Sequence, residues 1–379
     1  MKTDLYPDSV GFVEKQFFTF GDAGDALPLE AGAHIGPVTL AYETYGKLND
    51  ARDNAILITH ALTGDSHAAG YYDATDRKPG WWESMVGPGK GIDTTKYFVI
   101  CSNVLGGCMG STGPSSENPE TGKAYGLDFE VVTIADMVNA QKRLLDHLGI
   151  EQLVSVIGGS VGGMQVLQWC HAYPHMMRSA VALATTLRHS ALAISFNEVA
   201  RQAIMNDPNW NNGAYYDGPS PDTGLSLARM VGHITYLSDE AMHRKFGRRL
   251  QDPETHASAF EAPFKVESYL HYQGARFVER FDANSLMYIT KAADYFDLES
   301  ALSAPVSGTK AKCLVVSFSS DWLYPTYQSK AIVKALKKRG DDVSFCELES
   351  TAGHDAFLLP NERLSRMIRG FLKGVSHDG

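Results

Sequence analysis

The sequence predicts an α/β fold in which a mainly parallel sheet, flanked by helices, is interrupted by a helical insertion. Three observations lead to this prediction. Short apolar runs recur along the chain, amphipathic helical patterns separate them, and this alternation stops between residues 187 and 303. Strands that alternate with helices are typical of a parallel sheet covered on both faces. A chain of 379 residues is long enough to bury such a core.

Strands are expected where short apolar or β-branched runs lie between turn residues, because parallel strands are covered on both faces. The runs that meet this description are 55–59, 97–101, 153–157, 180–184, 313–317 and 343–348. Residues 38–45 alternate less cleanly, and we expect them to form an antiparallel edge strand.

Helices are expected between these strands. Residues 134–148 place mainly apolar side chains on one face and end at Gly149, a residue that commonly stops a helix. Amphipathic patterns also cover residues 327–338 and 364–372 in the core and 191–206, 225–237 and 283–295 in the insertion. We therefore assign 1–186 and 304–379 to the core and 187–303 to a helical cap, which could serve as a lid, a dimerisation element or both.

Composition and charge exclude several classes of protein. With 34 Lys and Arg against 44 Asp and Glu, the net charge of −10 argues against a protein built to bind nucleic acid. No apolar run approaches the length of a membrane span, and the first residues lack the apolar core of a secretion signal. The five cysteines are scattered without metal-ligand spacing, so we expect free thiols, no metal site and a cytoplasmic location.

Gly158 to Gly163 form a G-x-S-x-G motif around Ser160, between a predicted strand and a predicted helix. In the α/β-hydrolase fold this motif is a sharp turn that presents a nucleophilic serine. The glycines are needed because the neighbouring strand and helix leave no room for Cβ atoms. The alternative, a glycine-rich turn that contains serine by chance, is disfavoured by the strand before it and the helix after it.

A nucleophilic serine needs a histidine base and a carboxylate that orients the base. In this fold they follow in the order serine, acid, histidine. Asp321 lies just after the predicted strand 313–317, and His354 lies after the predicted strand 343–348. The other nearby acids, Asp341 and Asp342, are expected to be solvated turn residues, and His377 is expected to lie in a frayed tail.

Acyl transfer also needs donors for the oxyanion of the tetrahedral intermediate. We expect the backbone N–H of Val161, next to the nucleophile, and that of Leu62, in the loop after the predicted strand 55–59. His60, in the same loop, is expected to be a structural, hydrogen-bonded residue rather than a second base. Arg229 interrupts a mainly apolar helical stretch, so it needs either an internal carboxylate partner or an anionic ligand.

Over nearly its whole length the chain resembles the homoserine O-acyltransferases of the α/β-hydrolase superfamily. Several of the matching segments are not general features of hydrolases. The segments that carry the resemblance are Tyr42-Glu43-Thr44-Tyr45-Gly46, His60-Ala61-Leu62-Thr63-Gly64, Pro79-Gly80-Trp81-Trp82, Gly87-Pro88-Gly89-Lys90, Asn103-Val104-Leu105-Gly106-Gly107-Cys108, Gly158 through Gly163, Phe196 through Gln202, Ala228 through Ser238, Val266-Glu267-Ser268-Tyr269-Leu270 and Gly353-His354-Asp355.

The resemblance implies a ping-pong reaction in which Ser160 takes an acyl group from acyl-CoA and passes it to the γ-hydroxyl of L-homoserine, a step of methionine synthesis. It implies that Arg229 binds the carboxylate of the amino acid and Asp355 its amine, and that Thr63 and Tyr236 also contact substrate. It further implies a homodimer formed through the helical cap, with acyl-CoA as a co-substrate and no tightly bound cofactor.

The acyl group depends on the residue two positions after Asp321. Similar succinyl-transferring enzymes carry arginine there, whereas this chain has Leu323, which offers no cation and suits a methyl group. Acetyl-CoA is therefore the expected donor. The alternatives are a homoserine O-succinyltransferase that uses another arginine, a serine O-acyltransferase, and an esterase or thioesterase. A binding protein without activity is disfavoured by the presence of Ser160, Asp321 and His354.

Overall fold

The computed structural model describes residues 8–22, 24–251, 264–304 and 311–377. In these ranges one sheet contains eight strands. They are β1 (Gln16–Phe20), β2 (Val38–Tyr45), β3 (Ala55–Thr59), β4 (Phe98–Ser102), β5 (Leu153–Gly159), β6 (Met177–Leu183), β7 (Lys312–Phe318) and β8 (Asp342–Leu348). Their spatial order is β1-β2-β4-β3-β5-β6-β7-β8.

The sheet is parallel from β4 to β8, and β2 is antiparallel to both of its neighbours. The predicted antiparallel pairing of β2 is confirmed, but the prediction that it lies at the edge is wrong. The strand at this end of the sheet is β1, which the sequence analysis missed. Its side chains alternate in exposure, and Phe17 is 59% exposed, so β1 lacks the continuous apolar run that marks a strand covered on both faces.

Helices cover both faces of the sheet, and the predicted α/β fold is confirmed. The core helices are α1 (Ile134–His147), α2 (Val161–Ala172), α8 (Thr326–Arg339) and α9 (Glu362–His377). Strand residues alternate between two hydrophobic clusters: Leu57 of β3 packs in the cluster that contains α1 and α2, and Ile58 packs in the cluster that contains α9. Helix α1 begins with a capping box between Thr133 and Asp136 and stops before Gly149, which has a φ of 67°.

The helices of the insertion lie between β6 and β7 in the chain. They are α3 (Ala191–Met205), α4 (Asp222–Tyr236), α5 (Asp239–Lys245), α6 (Lys265–Val278) and α7 (Ala283–Tyr295). The sequence patterns had located α3, α4 and α7 to within three residues at each end. Where the chain enters and leaves the insertion, the Leu298 N–H donates to the Leu187 carbonyl at 2.9 Å, so the two connections run side by side. The exact cap boundaries, 187 and 303, stay a prediction.

No described helix is long and apolar enough to cross a membrane. In the described ranges no cluster of three or more His, Cys, Asp or Glu side chains could hold a metal ion, and all five cysteines are free thiols.

Candidate active site

Ser160 occupies a sharp turn between β5 and α2. Its backbone has a φ of 58° and a ψ of −125°, a combination that is strained for any residue with a side chain. The turn is held by the Ser160 N–H, which donates to the Leu183 carbonyl of β6 at 3.0 Å. The strained backbone places the serine hydroxyl beyond the carboxyl end of the sheet, at the start of α2.

Close packing explains the glycines of this turn. A Cβ atom on Gly162 would lie 2.1 Å from the Thr59 carbonyl oxygen of β3, and one on Gly158 would lie 2.2 Å from the Thr59 hydroxyl oxygen. Both distances are far below contact distance, so any larger residue would push α2 away from the sheet. The sequence analysis attributed these glycines to lack of space, and the geometry agrees.

Ser160, His354 and Asp321 form a continuous hydrogen-bonded chain. His354 Nε2 lies 2.9 Å from Ser160 Oγ, and His354 Nδ1 lies 2.8 Å from Asp321 Oδ2. All three side chains are buried. The other Asp321 oxygen accepts the N–H groups of Leu323 and Tyr324 at 3.0 and 2.9 Å. These bonds fix the carboxylate, which in turn fixes the imidazole.

Electrostatics favour a charged form of this histidine during a reaction. Burial alone would lower the pKa of His354, but the negative charge of Asp321 and the hydrogen bond to it outweigh burial, and the pKa is raised. Since the carboxylate can only accept hydrogen bonds, Nδ1 must carry the proton. Nε2 is therefore free to take the proton of Ser160.

The other acids considered from the sequence lie elsewhere. Asp341 forms an ion pair with Arg339 at 2.6 Å, and both side chains are almost completely buried. The expectation that Asp341 is a solvated turn residue is therefore wrong. Its carboxylate is held away from solvent by the buried Arg339 guanidinium, which also donates to the Cys170 carbonyl. Asp342 is exposed. His377 is the last residue of α9 rather than part of a tail beyond it, and its side chain lies outside the described part of the structure.

Leu62 and Val161 lie beside Ser160 in the same cavity. In the described part of the chain, neither of their N–H groups donates to another protein group. The loop that carries Leu62 is fixed by His60, whose Nδ1 lies 2.8 Å from the Ala61 carbonyl oxygen and whose Nε2 accepts the Val104 N–H at 3.1 Å. Burial lowers the pKa of His60, which agrees with a neutral, structural imidazole.

Two cavities meet at Ser160. The small cavity has ten lining residues, among them a guanidinium, a carboxylate and the imidazole of His354; they are Ala61, Leu62, Thr63, Ser160, Arg229, Tyr236, His354, Asp355, Phe357 and Leu358. The large cavity has 21 lining residues and extends between the cap helices. Small and apolar side chains dominate its wall, among them Ala193, Phe196, Ala200, Ala228, Leu286, Ala293 and Leu323.

Arg229 of α4 lines both cavities. Its guanidinium donates to the Thr63 hydroxyl at 3.1 Å and stacks on the Phe277 ring at 4.7 Å. Among the described residues it forms no ion pair, so the alternative of an internal carboxylate partner is not supported. Tyr236 lies next to it, with its ring centre 5.8 Å from the guanidinium carbon.

Asp355 faces the same small cavity. Burial raises the pKa of Asp355, and the positive charges of His354 and Arg229 oppose this shift only in part. The small cavity thus places a cation and an acid beside Ser160 and His354, a pattern that matches the two charged ends of an amino acid. All the site residues expected from the sequence, from Leu62 to Asp355, line one or both cavities except Asp321, which lies behind His354.

The sequence analysis missed several polar residues at the site. Arg280 donates to the Thr63 carbonyl at 3.0 Å, and His189 and Tyr324 line the large cavity with a 3.0 Å hydrogen bond between them. Tyr324 could have been noticed because it directly follows Leu323. His189 and Arg280 belong to no motif, and only the folded cap brings them to the site.

Known proteins share this architecture. A family model described as an alpha/beta hydrolase fold matches residues 54–360. The homoserine O-acetyltransferase of Desulfotalea psychrophila is 63% identical over 374 residues, covering 97% of this chain and 96% of its own. That of Solidesulfovibrio magneticus is 66% identical over 370 residues, covering 96% and 93%.

Solved structures include both transferases and hydrolases. The homoserine O-acetyltransferase of Bacillus anthracis has a TM-score of 0.87 and 34% identity, covering 95% of this chain and 98% of its own. Esterase E22 has the same TM-score and identity, with coverage of 95% and 100%. Because both solved structures are equally similar, the chain is placed by its nearly full-length relatives: it belongs to the homoserine O-acetyltransferase family, whose members have the α/β-hydrolase fold.

Proposed function

We propose that this protein transfers an acetyl group from acetyl-CoA to the γ-hydroxyl of L-homoserine, through an acetyl group held covalently on Ser160. The observation that carries the proposal is the small cavity. An arginine that pairs with no carboxylate of the described residues and a half-buried aspartate flank the serine–histidine pair there, as an amino-acid acceptor requires. A simple ester substrate needs neither charge.

In the first half-reaction Ser160 Oγ attacks the thioester carbonyl while His354 Nε2 takes the serine proton. The carbonyl oxygen becomes an oxyanion, which accepts hydrogen bonds from the N–H groups of Leu62 and Val161. The carbon–sulfur bond then breaks, and His354 returns the proton to the thiolate of CoA. Acetyl-Ser160 remains. Acetyl-CoA is consumed as a co-substrate, and the steps need no resident cofactor.

In the second half-reaction homoserine enters the small cavity. Its carboxylate binds the guanidinium of Arg229, supported by Thr63 and Tyr236, and its ammonium group lies near Asp355. His354 Nε2 takes the γ-hydroxyl proton as the oxygen attacks the acetyl carbon. The ester bond to Ser160 breaks, and the proton passes to Ser160 Oγ, which restores the enzyme and releases O-acetylhomoserine.

The acetyl preference follows from the wall of the large cavity. Leu323 contributes an apolar side chain to the cavity that Ser160 and Tyr324 also line. A succinyl group would bring a second carboxylate into this mainly apolar space, which is costly without a cation. Among the described residues, the one arginine that lines either cavity is Arg229, which the proposal assigns to the amino acid.

The cap also supports the proposal of a homodimer. Several large apolar side chains on its helices are between 44% and 57% exposed: Leu192, Val199, Leu227, Ile234 and Tyr272. Such a concentration on α3, α4 and α6 is typical of a surface covered by a second copy. Sedimentation of the protein and of a Val199→Asp, Leu227→Asp variant tests this, since the variant should sediment as a monomer.

Free thiols and the use of CoA favour a cytoplasmic location.

Hydrolysis is the second candidate, because esterase E22 is as similar in structure as the transferase of Bacillus anthracis. The two functions differ only in the acceptor. CoA release should be measured with acetyl-CoA or succinyl-CoA, with and without homoserine, and with serine in its place. We expect CoA release from acetyl-CoA that depends on homoserine and that the Ser160→Ala variant has lost. CoA release at the same rate with and without homoserine would indicate a hydrolase, and CoA release from succinyl-CoA alone would overturn the acetyl preference.

A further inference from the structure

A second histidine–carboxylate pair lies in the cap. His189 Nδ1 is 3.0 Å from Asp294 Oδ1, and both side chains are more than nine-tenths buried. His189 follows β6 at the entry to the cap, and Asp294 lies near the end of α7. The reaction proposed above uses neither residue.

The carboxylate of this pair is fixed by the cap itself. Asp294 accepts the side-chain amide of Asn197 at 2.7 Å and forms an ion pair with Arg201 at 2.7 Å. Burial would raise the pKa of Asp294, but the hydrogen bonds from His189 and Asn197 and the charge of Arg201 lower it. An ionised carboxylate only accepts hydrogen bonds, so His189 Nδ1 carries a proton.

The pair ends on a tyrosine hydroxyl. His189 Nε2 lies 3.0 Å from Tyr324 Oη. Burial raises the pKa of the Tyr324 phenol, so the hydroxyl keeps its proton and can donate it to Nε2. The bond to His189 therefore fixes the phenol oxygen of a tyrosine that lines the same cavity as Ser160.

Tyr324 also contacts two members of the Ser160–His354–Asp321 chain. Its N–H donates to Asp321 Oδ1 at 2.9 Å, and its ring centre lies 5.0 Å from that of His354. The tyrosine is thus fixed at its backbone by the acid and at its hydroxyl by the cap, and its ring packs against the imidazole that must move a proton.

We propose that the His189–Asp294 pair is a positioning device for the triad, and that it acts through Tyr324 to hold His354 and Ser160 in the geometry for acyl transfer. Proton transfer between these groups depends on small changes of distance and angle. The cap would then contribute to the chemistry in addition to shaping the cavities. This inference rests on the acyl-Ser160 chemistry proposed above, but it does not depend on which acceptor removes the acyl group.

The test compares Tyr324→Phe and His189→Gln, alone and combined, with Tyr288→Phe as control. Like Tyr324, Tyr288 is a buried tyrosine with a hydrogen-bonded hydroxyl, but it belongs to cap helix α7 and lines neither cavity. Each variant is first checked by thermal unfolding. The rate of Ser160 acylation is measured from the burst of para-nitrophenol released from para-nitrophenyl acetate, and kcat and KM are measured for acetyl transfer to homoserine.

We expect each site variant to lose about 10- to 100-fold in the burst rate and in kcat, the range found for residues that orient metal-binding side chains. The KM for homoserine should not change. Since both residues act through one hydrogen bond, the double variant should lose no more than the more severe single variant. Tyr288→Phe should keep the burst rate.

Three results would overturn the inference: a Tyr324→Phe burst rate equal to that of Tyr288→Phe, a loss expressed only in the KM for homoserine, or losses that multiply in the double variant. The burst does not involve homoserine. If the protein transferred nothing to homoserine, the function proposed above would fail while the burst rates still decided this inference.

Discussion

Two buried histidine–carboxylate pairs share the same pattern of hydrogen bonds but end on different hydroxyls. In the core, Asp321 orients His354 toward Ser160 Oγ at 2.9 Å; in the cap, Asp294 orients His189 toward Tyr324 Oη at 3.0 Å. The core pair ends on an alcohol at a strained turn, beside the Leu62 and Val161 N–H groups, which donate to no other group in the described ranges. The cap pair ends on a phenol whose pKa is raised by burial and by the charge of Asp321.

The difference shows that a histidine–carboxylate pair does not by itself define a nucleophile. A serine hydroxyl becomes a nucleophile where the turn exposes it and an oxyanion site lies beside it. The buried phenol stays protonated and serves as an oriented wall of the cavity. We therefore expect variants of the core pair to lose most of their turnover, and variants of the cap pair to lose less.

The largest effect is expected at the core pair. Asp321→Asn should lower kcat about 10⁴-fold, because an amide can donate to Nδ1 and so favours the wrong tautomer of the histidine. Steady-state acetyl transfer measures the loss. Asp341→Asn is the matched control: it disturbs the buried ion pair with Arg339, so it should lower the unfolding temperature while leaving kcat close to that of the parent. Equal losses of kcat in both variants would contradict the assignment of Asp321.

The Arg229→Ala variant tests whether Arg229 binds the acceptor or acts on the acyl donor. Removing a cation that binds the substrate carboxylate should raise the KM for homoserine roughly 30-fold or more, given about 2 kcal/mol or more for one partner of a buried charged pair. The burst of acylation without homoserine should remain. Arg276→Ala, which removes a cap arginine paired with Glu279, should change neither quantity. A burst lost in Arg229→Ala would mean that this residue acts on the acyl donor.

Leu323→Arg tests the wall of the large cavity. A guanidinium there could bind the distal carboxylate of a succinyl group, and a charge-assisted hydrogen bond of about 1.5–3 kcal/mol would change the ratio of succinyl to acetyl transfer about 10- to 100-fold. Leu323→Met controls for the loss of the leucine shape without adding charge. The ratio of kcat/KM for the two donors is the measurement, and an unchanged ratio would show that Leu323 does not select the acyl group.

The smallest effect is the pH dependence near neutrality. His354 must be unprotonated at Nε2 to act as a base, and its pKa is raised because the charge of Asp321 outweighs burial. The rate should therefore fall as the pH decreases through an apparent pKa above the ordinary value of about 6.5. A pH profile of the acylation burst gives this value. A midpoint below 6.5 would contradict the raised pKa of His354.

Much of the core could be predicted from the sequence because its signals are local. Strands such as β3 and β7 are continuous apolar runs, and the turn around Ser160 needs glycines that no other residue can replace. Asp321 and His354 follow from the order in which this fold supplies its acid and base. Strand β1 was missed because its exposed face gives it a mixed composition.

The cap network could not be predicted, because its members are brought together by tertiary packing alone. His189 and Asp294 are separated by 105 residues, and neither lies in a spaced motif. Arg229 was noticed from its apolar surroundings, yet the sequence could not decide between a carboxylate partner and a ligand. The choice depends on what surrounds the guanidinium in the fold, where Thr63 and Phe277 are its partners.

The central claim is an acetyl group on Ser160 that homoserine removes much faster than water does. Intact-protein mass spectrometry after mixing with acetyl-CoA alone should show the added mass of one acetyl group, mapped to Ser160 and absent in Ser160→Ala. Adding homoserine should restore the original mass and produce one O-acetylhomoserine for each acetyl group lost. An enzyme that carries no acetyl group, or whose acetyl group is lost at the same rate with and without homoserine, would contradict the account.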